Sequence, residues 1–249
     1  MTDDPYVTLS SATSLDGYLD RANPPRLNLS NDADFDRVDE VRAHNDAILV
    51  GARTIRLDNP RLLVRSVERQ IQRETAGLSR SPWKVTVTAS GDLDPHAAFF
   101  TTGDTTKLVY CPTPVVERIR RRIGNSAVVV GLGKEVNMTD LVVDLGDRGI
   151  GQLMVEGGGT VTTQFLAAGL VDELHLAVAP FFVGDQRAPR FVGDAKFPWT
   201  NAHRATLAEV RQIGDMVLMR YALSDRFIRH DAESHQGVPS ATALVLGIS

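Results

Sequence analysis

Apolar and polar positions along the chain form two patterns that alternate through its first two thirds. Short apolar or alternating runs bounded by turn-forming residues are typical of β-strands. Such runs predict strands over residues 6–13, 47–50, 83–89, 107–111, 127–130 and 153–155. Capping residues and helix-compatible segments between them indicate helices near residues 32–42, 52–57, 114–123, 141–145 and 160–166.

The last third of the chain has a different pattern. Residues 173–180 alternate as a strand, and after a loop two further alternating segments, 203–213 and 216–223, flank Gly214-Asp215. Two such runs around a tight turn predict a hairpin. Strands that alternate with helices and end in a hairpin favour an α/β fold with a mostly parallel central sheet, helices on both faces and an antiparallel C-terminal hairpin.

No linker or internal repeat divides the chain. The apolar alternation ends at about Asp225, so we place one domain at residues 1–229 and a C-terminal tail at residues 230–249. Residues 66–82 are polar and end in Ser-Pro, which we interpret as a surface excursion.

Composition narrows the function classes. The chain has 249 residues, of which 43% are hydrophobic and 23% charged, as is usual for soluble globular proteins. A net charge of −4 argues against nucleic acid as a partner, and the apolar runs are shorter than the ~20 residues that span a bilayer. Without an export signal, the chain is expected to be cytoplasmic. A single cysteine, Cys111, excludes an intramolecular disulfide.

Metal binding is not expected. Asp32, Asp34 and Asp36 superficially resemble a calcium loop, but the glycine at its sixth position is missing. His230 and His235 are five residues apart, which misaligns them on a helix.

The segment from residue 152 to 166 is the strongest candidate for ligand binding. An apolar strand runs into Glu156 and three glycines, Gly157 to Gly159, and a helix follows. Glycines allow close approach of the backbone, and the free N–H groups of a helix N-terminus favour an anion such as phosphate. Since Glu156 would repel a phosphate, it is expected to face a hydroxyl or amine of a second ligand. Taken alone, the segment is equally compatible with a glycine-rich turn between two core elements.

Three polar or glycine-rich stretches follow predicted strands: TSLDG (13–17), ILVGARTIRLDNPRLLVR (48–65) and VEGGGT (155–160). Ligands of open α/β sheets bind at the carboxyl ends of the strands, so one shared crevice is expected. Together these stretches resemble the reductase domain of the bacterial bifunctional riboflavin-biosynthesis deaminase-reductase and its stand-alone pyrimidine reductase relatives. The resemblance covers roughly residues 7–223.

The resemblance implies a dihydrofolate-reductase-like fold, NADPH as the cofactor and a homodimer. It also implies reduction of a phosphoribosylamino-pyrimidine to the ribitylamino product, with hydride attacking C1′ of the sugar. By position, it implies that the cofactor contacts are Ala12, Thr54, Asp58, Ser90, Gly158, Gly159, Thr160, Val161, Thr162, Thr163 and Gln164. It implies that the substrate contacts are Arg42, Leu62, Arg65 and Glu156, with the two arginines on the phosphate. Glu156 and Asp58 are the nearest candidates for a catalytic proton donor, and solvent is equally credible.

Each of these residues also has a purely structural explanation. Arg42 and Arg65 could be solvated charges at the end of a helix and a strand, and Asp58 could be a turn residue. The chain also departs from the family pattern: Ser10 replaces a usual lysine, and Arg26 and Asn28 replace a serine and often a tryptophan. Two alternatives stay open, namely a reductase of another heterocycle such as dihydrofolate, and a non-catalytic NADPH-binding module.

Overall fold

The computed structural model describes residues 4–227, so the predicted tail, residues 230–249, lies outside the described part. The strands are β1 Tyr6–Ser14, β2 Ala47–Gly51, β3 Trp83–Val87, β4 Lys107–Cys111, β5 Val128–Gly131, β6 Gln152–Gly157, β7 Glu173–Ala179, β8 Thr206–Ile213 and β9 Met216–Ala222. The helices are α1 Asp32–His44, α2 Ala52–Asp58, α3 Val67–Thr75, α4 Ala98–Thr101, α5 Val116–Ile123, α6 Met138–Asp147 and α7 Gly159–Ala167, with a 3₁₀ turn at Thr113–Val115.

The strands of the described chain form one nine-stranded sheet in the order β5-β4-β3-β2-β6-β1-β7-β9-β8. Pairs from β5 to β7 are parallel, whereas β9 pairs antiparallel with both β7 and β8. This confirms the predicted α/β class, the mostly parallel sheet and the antiparallel C-terminal hairpin. The order also places β6 between β1 and β2, which brings the three motif-bearing strands side by side.

Alternating side chains of the central strands enter two separate cores, one on each face of the sheet. On one face Leu49 packs in the cluster that contains Leu141 of α6 and Phe165 of α7. On the other face Ile48 packs in the cluster that contains Ile55 of α2 and Ile119 of α5. Helices therefore cover both faces, as predicted.

Residues 66–82 lie mostly at the surface, as the sequence predicted, but they contain a helix, α3, that the sequence analysis missed. Ser66 caps this helix, with its side chain accepting the Arg69 N–H at 3.3 Å. Buried Arg73 then fastens it to α1 by donating to the carbonyls of Ala43 and Asn45, both at 2.8 Å. Polar side chains therefore anchor this helix, and a search for apolar periodicity does not detect it.

Helix α1 shows a related feature. Its fully buried side chains are Asp34, Arg37 and Asp39, whereas the apolar Phe35 and Val38 are only partly buried and line a cavity. The buried charges have partners, as burial of charge requires: Arg37 pairs with Asp34, and Asp39 accepts the backbone N–H groups of Arg65 and Ser66. The helix thus presents both apolar and charged side chains to the cavity, since Arg37 and Arg42 also line it.

Candidate active site

A large cavity of about 2090 Å³ lies at the carboxyl ends of β1, β2, β3 and β6. Nearly all of the residues that the sequence assigned to cofactor and substrate are on its wall. They are Ala12, Arg42, Thr54, Asp58, Leu62, Arg65, Ser90, Glu156, Gly158, Gly159, Thr160, Val161, Thr163 and Gln164. Thr162 is absent from the wall, because its buried side chain points toward Gly157.

The TSLDG stretch was expected on the same crevice, but residues 13–17 are not on the wall. The Asp16 carboxylate instead accepts the Ser14 hydroxyl at 2.6 Å and the backbone N–H groups of Val183 and Gly184 at 3.1 and 2.8 Å. The motif therefore secures the turn after β1. The segment that follows it, including Asp20, Arg26 and Asn28, is what reaches the cavity.

The glycine turn after β6 has a backbone conformation and close neighbours that leave little room for side chains. Gly157 and Gly158 have φ angles of 98° and 83°, in the left-handed region that glycine adopts readily. A Cβ on Gly158 would lie 2.9 Å from Thr54 Oγ1, and one on Gly159 would lie 2.8 Å from the Arg190 carbonyl oxygen. The turn is therefore packed closely between its neighbours.

Helix α7 begins at Gly159, directly after this turn. The N–H groups of its first turn, on Gly159, Thr160 and Val161, have no acceptor within residues 4–227. Such donors at a helix N-terminus that opens onto a cavity favour an anionic group.

Arg42 and Glu156, which the sequence treated as separate substrate contacts, bind each other. Arg42 Nε lies 2.5 Å from Glu156 Oε1, and Nη2 lies 2.6 Å from Oε2. The remaining amino group donates to the Leu63 carbonyl at 3.1 Å. The side chains are only 16% and 13% exposed. Burial opposes the charge of Arg42, but the adjacent Glu156 carboxylate holds the pKa of the guanidinium above its ordinary value.

Arg65 lies nearer the solvent, with its side chain 54% exposed. It donates to the Phe35 carbonyl at 2.7 Å, and its guanidinium lies 5.4 Å from the centre of the Phe35 ring. The buried Asp39 carboxylate accepts the backbone N–H of Arg65 at 2.5 Å and lies 3.7 Å from its Nε atom. Nearby Leu62 is buried with a φ of 49°, an uncommon conformation for a branched side chain and one that concentrates at functional sites.

Asp58, at the end of α2, contacts a residue that the sequence flagged only as a departure. Arg26 Nε lies 2.9 Å from Asp58 Oδ1 and 3.0 Å from Asp20 Oδ2. Burial raises the pKa of the Asp58 carboxyl, the nearby Asp20 raises it further, and Arg26 only partly opposes this. Sequence reasoning could not foresee this contact, because Asp20 and Arg26 lie between β1 and α1 whereas Asp58 ends α2.

Arg37 is a second wall residue that the sequence missed. Its guanidinium lies 3.4 and 3.3 Å from the Ser10 hydroxyl, 2.7 Å from Asp34 and 3.3 Å from His175 Nδ1. Since arginine can only donate, Nδ1 accepts and Nε2 carries the proton toward Glu173 at 2.6 Å. Arg37 thus places a cation beside Ser10, the position at which the family resemblance implies a lysine. The Asp34–Arg37 spacing of three was its sole sequence signal.

Ser90 follows β3 at the cavity edge, among basic side chains. Arg118 donates to its carbonyl oxygen, and Arg56 donates to the carbonyl of Asp92 at 2.8 Å. Three separate positions on the cavity thus favour anionic groups: the start of α7, the surroundings of Ser90 and the mouth at Arg65.

Within residues 4–227, no group of three or more His, Cys, Asp or Glu side chains is placed to hold a metal ion. A search of the same residues finds no helix with the length and hydropathy of a membrane span.

Comparison with known proteins identifies the family. A family model described as the RibD C-terminal domain matches residues 5–219. A protein of Archaeoglobus fulgidus named 2,5-diamino-6-ribosylamino-4(3H)-pyrimidinone 5′-phosphate reductase is 31% identical over 226 residues, which are 90% of this chain and 99% of that protein. A protein of the same name from Methanothermobacter thermautotrophicus is 31% identical over 220 residues, 88% of this chain and 98% of the other.

Among solved structures, a pyrimidine reductase-like protein from Corynebacterium diphtheriae has the same fold. The TM-score is 0.75 at 24% identity, over 88% of this chain and 91% of that one. The family match spans every wall residue that the sequence assigned to the site. The chain therefore belongs to the RibD C-terminal domain family, which confirms the resemblance drawn from its motifs.

Proposed function

We propose that this chain is an NADPH-dependent oxidoreductase of riboflavin biosynthesis, with residues 1–229 as its catalytic domain. Its substrate would be 2,5-diamino-6-ribosylamino-4(3H)-pyrimidinone 5′-phosphate, and its product the corresponding ribitylamino phosphate. The observation that carries the proposal is the cavity in which the assigned residues meet. The choice of substrate is supported by the names of two relatives. The match to this chain covers 99% of one relative and 98% of the other.

The cavity is large enough for two ligands. Pockets for one small molecule usually measure about 300–1,000 Å³, and this one measures about 2090 Å³. A nicotinamide cofactor and a sugar phosphate can therefore be bound side by side, as direct hydride transfer requires. Holding the two reactants in contact supplies much of the catalysis for such a reaction.

The walls fit the phosphate groups of NADPH. We assign the pyrophosphate to the free N–H groups of Gly159, Thr160 and Val161, next to the closely packed glycine turn. We assign the additional phosphate that distinguishes NADPH from NADH to the basic surroundings of Ser90, where Arg56 borders the cavity. When bound, NADPH supplies the hydride. The protein supplies the binding groups and the geometry.

The substrate contacts are revised by the Arg42–Glu156 pair. Because Glu156 neutralises Arg42, we assign the substrate phosphate chiefly to the more accessible Arg65. The Arg42–Glu156 pair then offers a rigid polar surface to the sugar or the base.

Of the two candidate proton donors, Asp58 is favoured. Both carboxylate oxygens of Glu156 already accept hydrogen bonds from Arg42, so neither is free to contact the substrate, which argues against Glu156. The pKa of Asp58 is raised by burial, so its acid form is more populated near neutral pH than that of an exposed aspartate.

One assay separates the candidate functions: NADPH oxidation with the phosphoribosylamino-pyrimidine, with dihydrofolate, and with neither. The proposal predicts turnover with the pyrimidine phosphate. Turnover with dihydrofolate alone would indicate a reductase of another heterocycle. Tight NADPH binding without turnover of either compound would indicate a non-catalytic module.

A further inference from the structure

The segment that connects β1 to α1, residues 15–31, forms one wall of the cavity, and Arg26 ties this wall to another element. Its Nε atom lies 3.0 Å from Asp20 Oδ2 within the segment and 2.9 Å from Asp58 Oδ1 at the end of α2. The Asp20 side chain is itself fixed, because Oδ1 accepts the Leu27 N–H at 2.7 Å. Arg26 thus connects this segment to the C-terminal end of α2, the helix that follows β2.

The sheet order gives this connection its position. β6 lies between β1 and β2, so the Arg26–Asp58 contact joins the segment after β1 to the helix after β2, on either side of β6. The glycine turn at Gly157 to Gly159 follows β6 directly. A nucleotide held at this turn therefore lies between the two elements that Arg26 connects.

The charges favour a mechanical role over direct anion binding. One guanidinium lies between two carboxylates, so the cluster as a whole carries negative charge and does not suit a phosphate. The Arg26 side chain is 41% exposed, whereas those of Asp20 and Asp58 are 9% and 31% exposed, so the contact is partly shielded from salt. The arrangement is suited to holding the segment 15–31 against the end of α2.

We propose that Arg26 is a positioning residue that closes the segment 15–31 over a bound nucleotide and slows its release. The inference rests on the proposed use of NADPH and extends it to a residue that departs from the family pattern. Because the contact must open for the nucleotide to leave, its loss acts mainly on the dissociation rate.

The test is stopped-flow measurement of NADPH association and dissociation by nucleotide fluorescence, without substrate. Arg26→Ser, which removes the guanidinium and leaves a small polar side chain, is expected to raise the dissociation rate about tenfold. Arg21→Ser is the matched control. It removes the same charge from the same segment, and Arg21 is exposed like Arg26 but has no ion pair among the described residues. It is expected to change the rate less than about twofold.

The Asp58→Ala background provides the second arm. There the Arg26–Asp58 contact is removed, because alanine has no oxygen to accept from Arg26, so adding Arg26→Ser is expected to change the dissociation rate by less than about twofold. An Arg26→Ser effect no larger than that of Arg21→Ser, or one that persists in full beside Asp58→Ala, would overturn the inference alone. Failure of the unsubstituted chain to bind NADPH would overturn it together with the proposed cofactor. Binding without turnover would count only against the reductase proposal.

Discussion

Arg42 of α1 and Glu156 of β6 join two elements through a two-point ion pair at the cavity wall, with N–O distances of 2.5 and 2.6 Å. The pair is largely buried, so each charge depends on the other for solvation. This relationship changes the chemistry expected from the sequence, because neither group is independently available to a ligand.

We predict that Glu156→Gln lowers the free energy of unfolding by about 3 kcal/mol, since it leaves the Arg42 charge unpaired in a low-dielectric site. The double variant Arg42→Met/Glu156→Leu is expected to lose less than the single one, because no charge is left unpaired. Urea unfolding of both variants measures the difference. A double variant that is less stable than Glu156→Gln would contradict this account of the pair.

We predict that Arg65→Ala raises KM for the phosphorylated substrate roughly 10- to 100-fold, the loss expected for hydrogen bonds to a charged group. KM for NADPH should change less than about twofold. Arg65→Lys is the control, and it should retain part of the affinity because it keeps the charge but not the bidentate geometry. Steady-state kinetics with each ligand varied in turn gives both constants. Equal effects on both would refute the phosphate assignment.

The glycine turn provides a test that separates backbone strain from ligand binding. Gly158 and Gly149 have similar φ angles, 83° and 87°, but a Cβ on Gly149 meets nothing within 4 Å whereas one on Gly158 meets Thr54. Each substitution to alanine is expected to cost about 1–2 kcal/mol of stability. We predict that only Gly158→Ala weakens NADPH binding, by about tenfold. Thermal unfolding and nucleotide titration of both variants check this, and equal NADPH affinities would count against the turn as the cofactor site.

Lys84 should make stability depend on pH. It is fully buried in β3, donates to the carbonyls of Phe99 and Thr102, and burial lowers the pKa of its ammonium from 10.5 to about 8. Between these values the unfolded chain binds a proton that the folded chain does not, so stability rises with pH in this window. We predict that the free energy of unfolding of the unsubstituted chain, relative to that of Lys84→Met, increases from pH 8 to pH 10. Below pH 8 the difference should be constant. A difference that falls over this range would refute the assignment.

Strand positions were predictable from the sequence because alternation and bounding turn residues report burial directly. The glycine turn was also predictable, since three consecutive glycines, Gly157 to Gly159, can adopt backbone conformations that few other residues adopt. Helix α3 was not, because it is anchored by Arg73 and has no continuous apolar face.

The residues on the cavity wall divide in the same way. Those in local motifs, such as Thr54 and Gly158, could be grouped from the sequence by their positions. Arg26 and Arg37 were not assigned to the site, because their importance depends on partners from other elements, Asp58 in one case and His175 in the other. Pairing between distant charges leaves no mark in a single sequence, and the Arg42–Glu156 contact was missed for that reason.

The most direct test of the central claim follows the hydride itself. The chain is incubated with the phosphoribosylamino-pyrimidine and NADPH that carries deuterium at the transferable C4 position, and the product is examined by mass spectrometry and NMR. The account predicts a ribitylamino product with one deuterium at C1′. Formation of this product without deuterium from the labelled position, or no reduction at all with NADPH bound, would contradict it.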